Sequence, residues 1–289
     1  MLVHTSVHRR HLLAATALTL SASAWAAGFE RGPAPTEAGL LGNGPYTVAS
    51  AKVASPAGFG SATVYYPTQT QEGKFGLVGL APGFLSTPGL YTWLASRLAS
   101  HGFVVVNMGT KTVFDTPEPR GVQLMAALKQ VSTLVAAGTV PYAAITDTAR
   151  QAIMGHSAGG GGTLTAARDN PGLKAAIPMT PASNVSSFDT VAVPTLILAC
   201  EKDAIAPNAT FSAKYYPTLP STLDRAYLEI AGADHLCPTS LAKAAVQNTV
   251  ARTVIPWLKR HVDEDRRYQG FITGAASPTY VKVDVHLSP

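Results

Sequence analysis

The pentapeptide Gly155-His156-Ser157-Ala158-Gly159 constrains this chain more than any other stretch. It follows the apolar run Ala152-Ile153-Met154, which reads as a strand, and it opens directly into a helical stretch over residues 158–168. A strand that turns into a helix over so few residues forces the central serine into a strained backbone geometry. Glycines on either side give the strand and helix room to approach. The serine hydroxyl then stands exposed at the strand end, beside a helix N-terminus whose dipole favours developing negative charge. Outside that context the same five residues are only a glycine-rich turn. Gly160 to Gly162 lengthen the glycine run. No Lys-Ser/Thr follows them, so a phosphate-binding loop is excluded and close helix-to-sheet packing is the expected reason.

Short apolar runs alternate with amphipathic stretches around this elbow. Residues 76–80, 103–106, 174–179, 195–199 and 226–230 read as strands buried on both faces. Residues 90–100, 121–135 and 242–261 read as helices, the last interrupted by Pro256. In the second, Leu124, Leu128, Val131 and Leu134 share one face. Residues 46–48 and 62–66 look like antiparallel strands, and residues 280–285 like an edge strand. Residues 28–45, rich in Gly and Pro, read as an irregular entry segment. The pattern predicts a single catalytic domain over residues 28–289 with the α/β-hydrolase fold. That fold is a mostly parallel central sheet with helices on both faces, its active site at the carboxyl ends of the strands.

In that fold the chain order is nucleophile, acid, then base. Ser157 is the expected nucleophile. Of the five histidines after the first 27 residues, His101 and His156 precede the acid and are excluded as the base. His261 falls in the closing helix and His286 near the C-terminus. His235 lies in the loop Ala231-Gly232-Ala233-Asp234 after a strand, which makes it the expected base. Asp203 directly follows the strand at 195–199. Asp234 adjoins His235, where neighbouring side chains seldom meet, and Asp189 and Asp224 precede their strands. Asp203 is therefore the expected acid. The oxyanion donors are expected to be the backbone N–H groups of Ala158 and of Phe84, in the loop Leu80-Ala81-Pro82-Gly83-Phe84.

Export is expected from the N-terminus. Arg9-Arg10 precede an apolar run over residues 12–23, and Ala24-Trp25-Ala26 fits a small-x-small cleavage site. Residues 1–27 thus read as a signal peptide, with a twin-arginine signal or an uncleaved anchor as alternatives. The run is too short for a span of roughly 20 residues, so no stable membrane insertion is expected. The two cysteines, Cys200 and Cys237, are expected to pair in an oxidising, secreted or periplasmic setting, the alternative being two buried thiols. Such a bridge links the acid loop to the base loop. Formal charge is +5, and the two signal arginines leave +3 without a basic run, so no nucleic-acid partner is expected. No cofactor motif or metal-ligand spacing is present, and a monomer is expected.

Several segments together point to one family. They are Arg31-Gly32-Pro33, Thr63-Val64-Tyr65-Tyr66-Pro67, Pro82-Gly83-Phe84, residues 97–105, residues 155–162, Pro194-Thr195-Leu196-Ile197 and Ala206-Pro207. From about Phe29 to Tyr268 the chain resembles the bacterial cutinases and polyester hydrolases, including the PET hydrolases. The resemblance implies a triad of Ser157, Asp203 and His235 and oxyanion donors Phe84 and Ala158, the residues reached above. Phe84, His156 and Ala182 are assigned to the substrate lining. Cys200–Cys237 looks like the bridge beside the active site in a PET-hydrolase subgroup, while the family's usual C-terminal bridge has no cysteines here. Two residues depart from the family. Phe84 stands where a Tyr is common, and Pro181-Ala182 stands where Pro-Trp is typical. Ala182 lacks the aromatic platform for the acyl group, a contact of about 1 kcal/mol beyond burial. That turns the expectation from aromatic polyesters toward aliphatic or short-chain esters. The expected function is a secreted serine carboxylic-ester hydrolase, cutinase- or polyesterase-like, acting through an acyl-enzyme on an ester or polyester. An amidase or peptidase with the same triad, or a non-catalytic binding protein on this scaffold, are the alternatives.

Overall fold

The apolar runs assemble into one nine-stranded sheet in the computed structural model, which describes residues 1–2, 29–54, 56–68, 71–276 and 278–288. Apart from Met1 and Leu2, the expected signal segment lies outside the described residues. The strands are β1 Val48–Lys52, β2 Ser61–Pro67, β3 Phe75–Ala81, β4 Val104–Gly109, β5 Thr146–His156, β6 Ala175–Met179, β7 Thr195–Cys200, β8 Arg225–Ile230 and β9 Tyr280–His286. Their order is β1-β2-β4-β3-β5-β6-β7-β8-β9. The six strands from β4 to β8 in that order run parallel. Antiparallel strands flank them, β1 and β2 on one side and β9 on the other. This is the α/β-hydrolase arrangement.

Helices cover both faces, and residue alternation decides which side chain meets which layer. The principal helices are α2 Thr92–Ser100, α3 Pro117–Ala136, α4 Ala158–Asp169 and α6 Ala244–Val262. In β3, Val78 and Leu80 pack into one core with Leu94, Leu98, Val254 and Trp257 of α2 and α6. Leu77 points to the other core, with Leu124 and Leu128 of α3 and Leu164 of α4. In β4, Val105 joins the first core while Val104 and Val106 join the second. Period-two alternation between two apolar layers is why these strands read as unbroken hydrophobic runs. Each such fully buried side chain is worth about 1.5–3 kcal/mol.

Some elements differ from the sequence expectation. β1 begins at Val48 and extends to Lys52, later than the stretch 46–48. β5 starts at Thr146, six residues early, because its polar N-terminal half still pairs with Phe75 and Gly76 across a register shift. The entry segment contains the short helix α1 Glu37–Leu41, capped by the Thr36 hydroxyl accepting from Gly39 N–H. Three further short elements, α5 Ser212–Tyr215, the turn Arg266–Tyr268 and α7 Gln269–Thr273, carry too few residues to show a period. α6 runs through Pro256 without interruption. Proline removes one N–H donor there. The buried faces of Val254, Ile255, Trp257 and Leu258 hold the helix against the sheet on both sides of it.

The C-terminal end of α6 is fastened by charge. The fully buried Asp263 carboxylate accepts from Lys259 Nζ at 2.8 Å and Arg150 Nη1 at 2.7 Å, with Arg31 Nη1 at 3.8 Å. The Asp263 carbonyl also accepts from Phe29 N–H at 2.7 Å. This cluster holds the entry segment, β5 and α6 together.

Candidate active site

Ser157 sits between β5 and α4 with φ 55° and ψ −118°, a left-handed backbone that a non-glycine residue adopts only under constraint. Three hydrogen bonds hold it there. Its N–H donates to the Met179 carbonyl at 3.0 Å, and its carbonyl accepts from Gly161 N–H at 2.9 Å and Ala182 N–H at 3.0 Å. The flanking glycines are steric requirements. A Cβ on Gly155 would collide with the Gly159 carbonyl, and one on Gly159 with the Pro82 carbonyl.

The expected acid and base arrive on neighbouring strand ends. Asp203 lies just past β7 and His235 just past β8, both buried. His235 Nδ1 donates to Asp203 Oδ2 at 2.8 Å. Asp203 Oδ1 accepts from Ile205 N–H at 3.0 Å and Ala206 N–H at 2.7 Å, so the carboxylate is held from both oxygens. With Nδ1–H donating to Asp203, Nε2 is the ring nitrogen left to accept a proton. The loops are joined by the Cys200–Cys237 disulfide and by Lys202 N–H donating to the Ala233 carbonyl at 2.7 Å.

The turn Gly83–Ser86 faces this elbow. Ser86 N–H closes it on the Gly83 carbonyl at 3.1 Å, with Leu85 at φ 59°. The closure leaves Phe84 N–H outside the turn's own hydrogen bond. Among the described residues, neither Phe84 N–H nor Ala158 N–H donates to a protein atom. Two donors of this kind suit an oxyanion. The turn is anchored by Arg120, a fully buried arginine whose guanidinium donates to the carbonyls of Pro82 at 3.1 Å, Val113 at 2.7 Å and Asp115 at 2.7 Å. Arg120 carries no signal in the sequence: it stands one residue ahead of the expected helix, and its partner on the oxyanion turn, Pro82, is 38 residues away.

Of the expected substrate-lining residues, Phe84 is exposed and Ala182 half-buried beside Ser157. Phe84 meets Phe114 edge to face, ring centroids 6.1 Å apart; Leu85 on the Phe84 turn and Ile205 on the Asp203 loop are further exposed apolar side chains. His156 is different. Its ring is buried under the site, Nδ1 against the Tyr91 hydroxyl at 2.7 Å and Nε2 against the His235 carbonyl at 2.8 Å. With both nitrogens occupied by protein atoms it does not line the substrate surface. Burial, reinforced by the charge that His235 can carry, pushes its pKa down to about 3, so the ring stays neutral.

A family model described as PET hydrolase-like matches residues 23–287. The chain belongs to this family. Among its relatives, a bis(hydroxyethyl) terephthalate hydrolase of Streptomyces coelicolor is 44% identical over 254 residues, covering 87% of this chain and 79% of that protein. A cutinase of Thermobifida fusca is 44% identical over 261 residues, covering 89% and 83%. Cutinase 1 of Thermobifida cellulosilytica is 44% identical over 247 residues, covering 84% and 90%. Among the described residues of this PET hydrolase-like chain, no group of His, Cys, Asp and Glu is arranged to hold a metal ion, and no helix is long and apolar enough to cross a membrane.

Proposed function

We propose that this chain is a serine carboxylic-ester hydrolase that cleaves polyesters or short acyl esters through an acyl-enzyme, with Ser157 as nucleophile, His235 as base and Asp203 as its orienting acid. The observation that carries the reading is the 2.8 Å bond from His235 Nδ1 to Asp203, next to a serine held at φ 55° on a strand-to-helix turn. In the first half-reaction His235 Nε2 takes the Ser157 proton as Oγ attacks the ester carbonyl. Asp203 stabilises the imidazolium so formed. The tetrahedral oxyanion accepts from Phe84 and Ala158 N–H, and the imidazolium then protonates the departing alkoxide. Water attacks the acyl-enzyme by the same route in reverse, with His235 again the base. Phe84 and Phe114 supply an apolar flank for the substrate chain, and Ala182 leaves that side of the site without a ring.

Ester chemistry is supported by the relatives, named cutinases and a bis(hydroxyethyl) terephthalate hydrolase. Secretion as a monomeric single domain, after removal of residues 1–27, fits the sequence of that segment and a disulfide beside the site. A fluorophosphonate probe tests the nucleophile. It is expected to modify Ser157 alone, read by peptide mapping, and to lose that label in His235→Ala. A folded protein that takes no label, or takes it on another serine, contradicts the assignment.

A further inference from the structure

Beneath the proposed triad, one hydrogen-bonded chain joins the oxyanion turn to the loop that carries the base. Its directions follow from the donors available. The His235 carbonyl only accepts, so His156 Nε2 carries a proton and donates to it at 2.8 Å. The neutral His156 ring then offers Nδ1 as an acceptor, and the Tyr91 hydroxyl donates to it at 2.7 Å. The Tyr91 oxygen in turn accepts from Gly83 N–H at 3.1 Å. The chain therefore reads Gly83 N–H to Tyr91 O–H to His156, and His156 N–H to the His235 carbonyl. Gly83 immediately precedes the donor Phe84. Burial raises the Tyr91 pKa, so this hydroxyl keeps its proton.

All of these groups are buried, and the turn that carries Tyr91, together with the start of α2 that follows it, is fixed to the base loop at two other points. Trp93 Nε1 donates to the Pro238 carbonyl at 3.1 Å, and Ser240 N–H donates to the Leu90 carbonyl at 2.8 Å. Ring packing continues the contact, with Tyr91 to His156 centroids at 5.8 Å and His156 to His235 at 4.7 Å. Gly83 lies directly against this layer, since a Cβ there would stand 3.1 Å from both His156 Nδ1 and Ser157 Cβ.

We propose that Tyr91 is a positioning residue for the hydrolysis, acting through His156 to hold the oxyanion turn and the base loop at a fixed separation across Ser157. It touches no substrate. Its hydroxyl satisfies two buried groups that would otherwise be free to turn, one on the oxyanion side and one on the base side. Loss of the hydroxyl leaves the ring, and the packing, in place. The inference rests on the triad reading above.

The test compares wild type, Tyr91→Phe, His156→Gln and the double variant in the mature protein, with p-nitrophenyl butyrate as substrate. Tyr91→Phe is expected to lower kcat about ten-fold or more while KM stays within about two-fold, as expected when reacting groups are displaced rather than binding lost. The double variant is expected to lose scarcely more than the worse single, because both break one chain. A Tyr91→Phe protein with unchanged kcat and a lowered melting temperature overturns the proposal, and so do losses that multiply in the double variant. Nitrogen NMR of wild-type histidines guards against a variant that fails to fold. His156 is expected as the neutral Nε2–H tautomer in slow exchange, and the Nδ1–H tautomer or an averaged signal overturns the chain. Ser157→Ala, run alongside, separates the two levels. If it retains turnover the triad reading fails, whereas an inactive Ser157→Ala with a fully active Tyr91→Phe sinks only the positioning role.

Discussion

Acidification from pH 7.5 to pH 5 is expected to destabilise the protein by about 6 kcal/mol, through three buried histidines. His101, His156 and His261 are each less than a tenth exposed. Burial pushes their pKa values down to about 4, about 3 and about 4. At His261 burial prevails even though Asp224 lies 3.8 Å away and favours the charged ring, so that contact is not an ion pair at neutral pH. In the unfolded chain each imidazole titrates near its ordinary value of about 6.5. Because the folded values are depressed, their contribution is fully present above about pH 6.5 and is withdrawn as the pH falls toward the folded values. Between those limits each ring removes about 1.4 kcal/mol per pH unit, or about 2 kcal/mol by pH 5. Three together approach the whole stability of an ordinary domain, about 5–15 kcal/mol. The depressed carboxylates Asp115, Asp147 and Glu201 act below their ordinary values of 3.8 to 4.5, outside this window.

Urea unfolding followed by tryptophan fluorescence at pH 7.5, 6.0 and 5.0 measures the effect without adding salt. His101→Gln isolates one third of it. The His101 ring donates Nε2–H to the Gly42 carbonyl at 3.1 Å, and a glutamine amide can still do so without titrating. The variant is expected to lose about 2 kcal/mol less than wild type over the same range. A wild-type stability that stays level down to pH 5, or an equally steep fall in His101→Gln, contradicts a role for these buried rings.

Three other outcomes follow from the same contacts. Asp263→Ala leaves Lys259 and Arg150 buried without their carboxylate and is expected to cost about 3–5 kcal/mol, read by urea midpoint; a loss under 1 kcal/mol contradicts the cluster's role. Paired Cys200→Ser and Cys237→Ser substitutions open a bridge between residues 37 apart and are expected to lower stability by about 4 kcal/mol, measured against the oxidised wild type. Asp203→Asn leaves the fold intact but favours the wrong His235 tautomer, so kcat on p-nitrophenyl butyrate is expected to fall about 10⁴-fold, and a fall of only a few-fold speaks against the acid assignment.

What the sequence made legible is what repeats or punctuates. The parallel strands announced themselves as apolar runs because both their faces are buried, and the elbow because a glycine-flanked serine fell between a strand and a helix. Ser157 stood out by the elbow, Asp203 and His235 as its expected partners by chain order together with their places just after strands, and the two cysteines pointed to the loops they join. The short helices α1, α5 and α7 escaped because four or five residues cannot establish a period. Pro256 was misleading for a different reason: tertiary packing of α6 outweighed one missing donor. His156 was assigned to the substrate lining, yet its ring turns inward and is held by Tyr91 and the His235 carbonyl. Arg120 and Tyr91 left no local trace. Their roles depend on the Pro82 carbonyl, 38 residues from Arg120, and on the His156 ring, 65 residues from Tyr91, which only the folded backbone brings together.

The most direct test of the central claim is turnover of p-nitrophenyl butyrate by the mature protein beside Ser157→Ala, with the matching anilide as a second substrate. Wild type is expected to hydrolyse the ester and to cleave the anilide far more slowly, with no ester turnover above background in Ser157→Ala. A folded wild type inert toward the ester, or a Ser157→Ala variant that still turns it over, contradicts the claim.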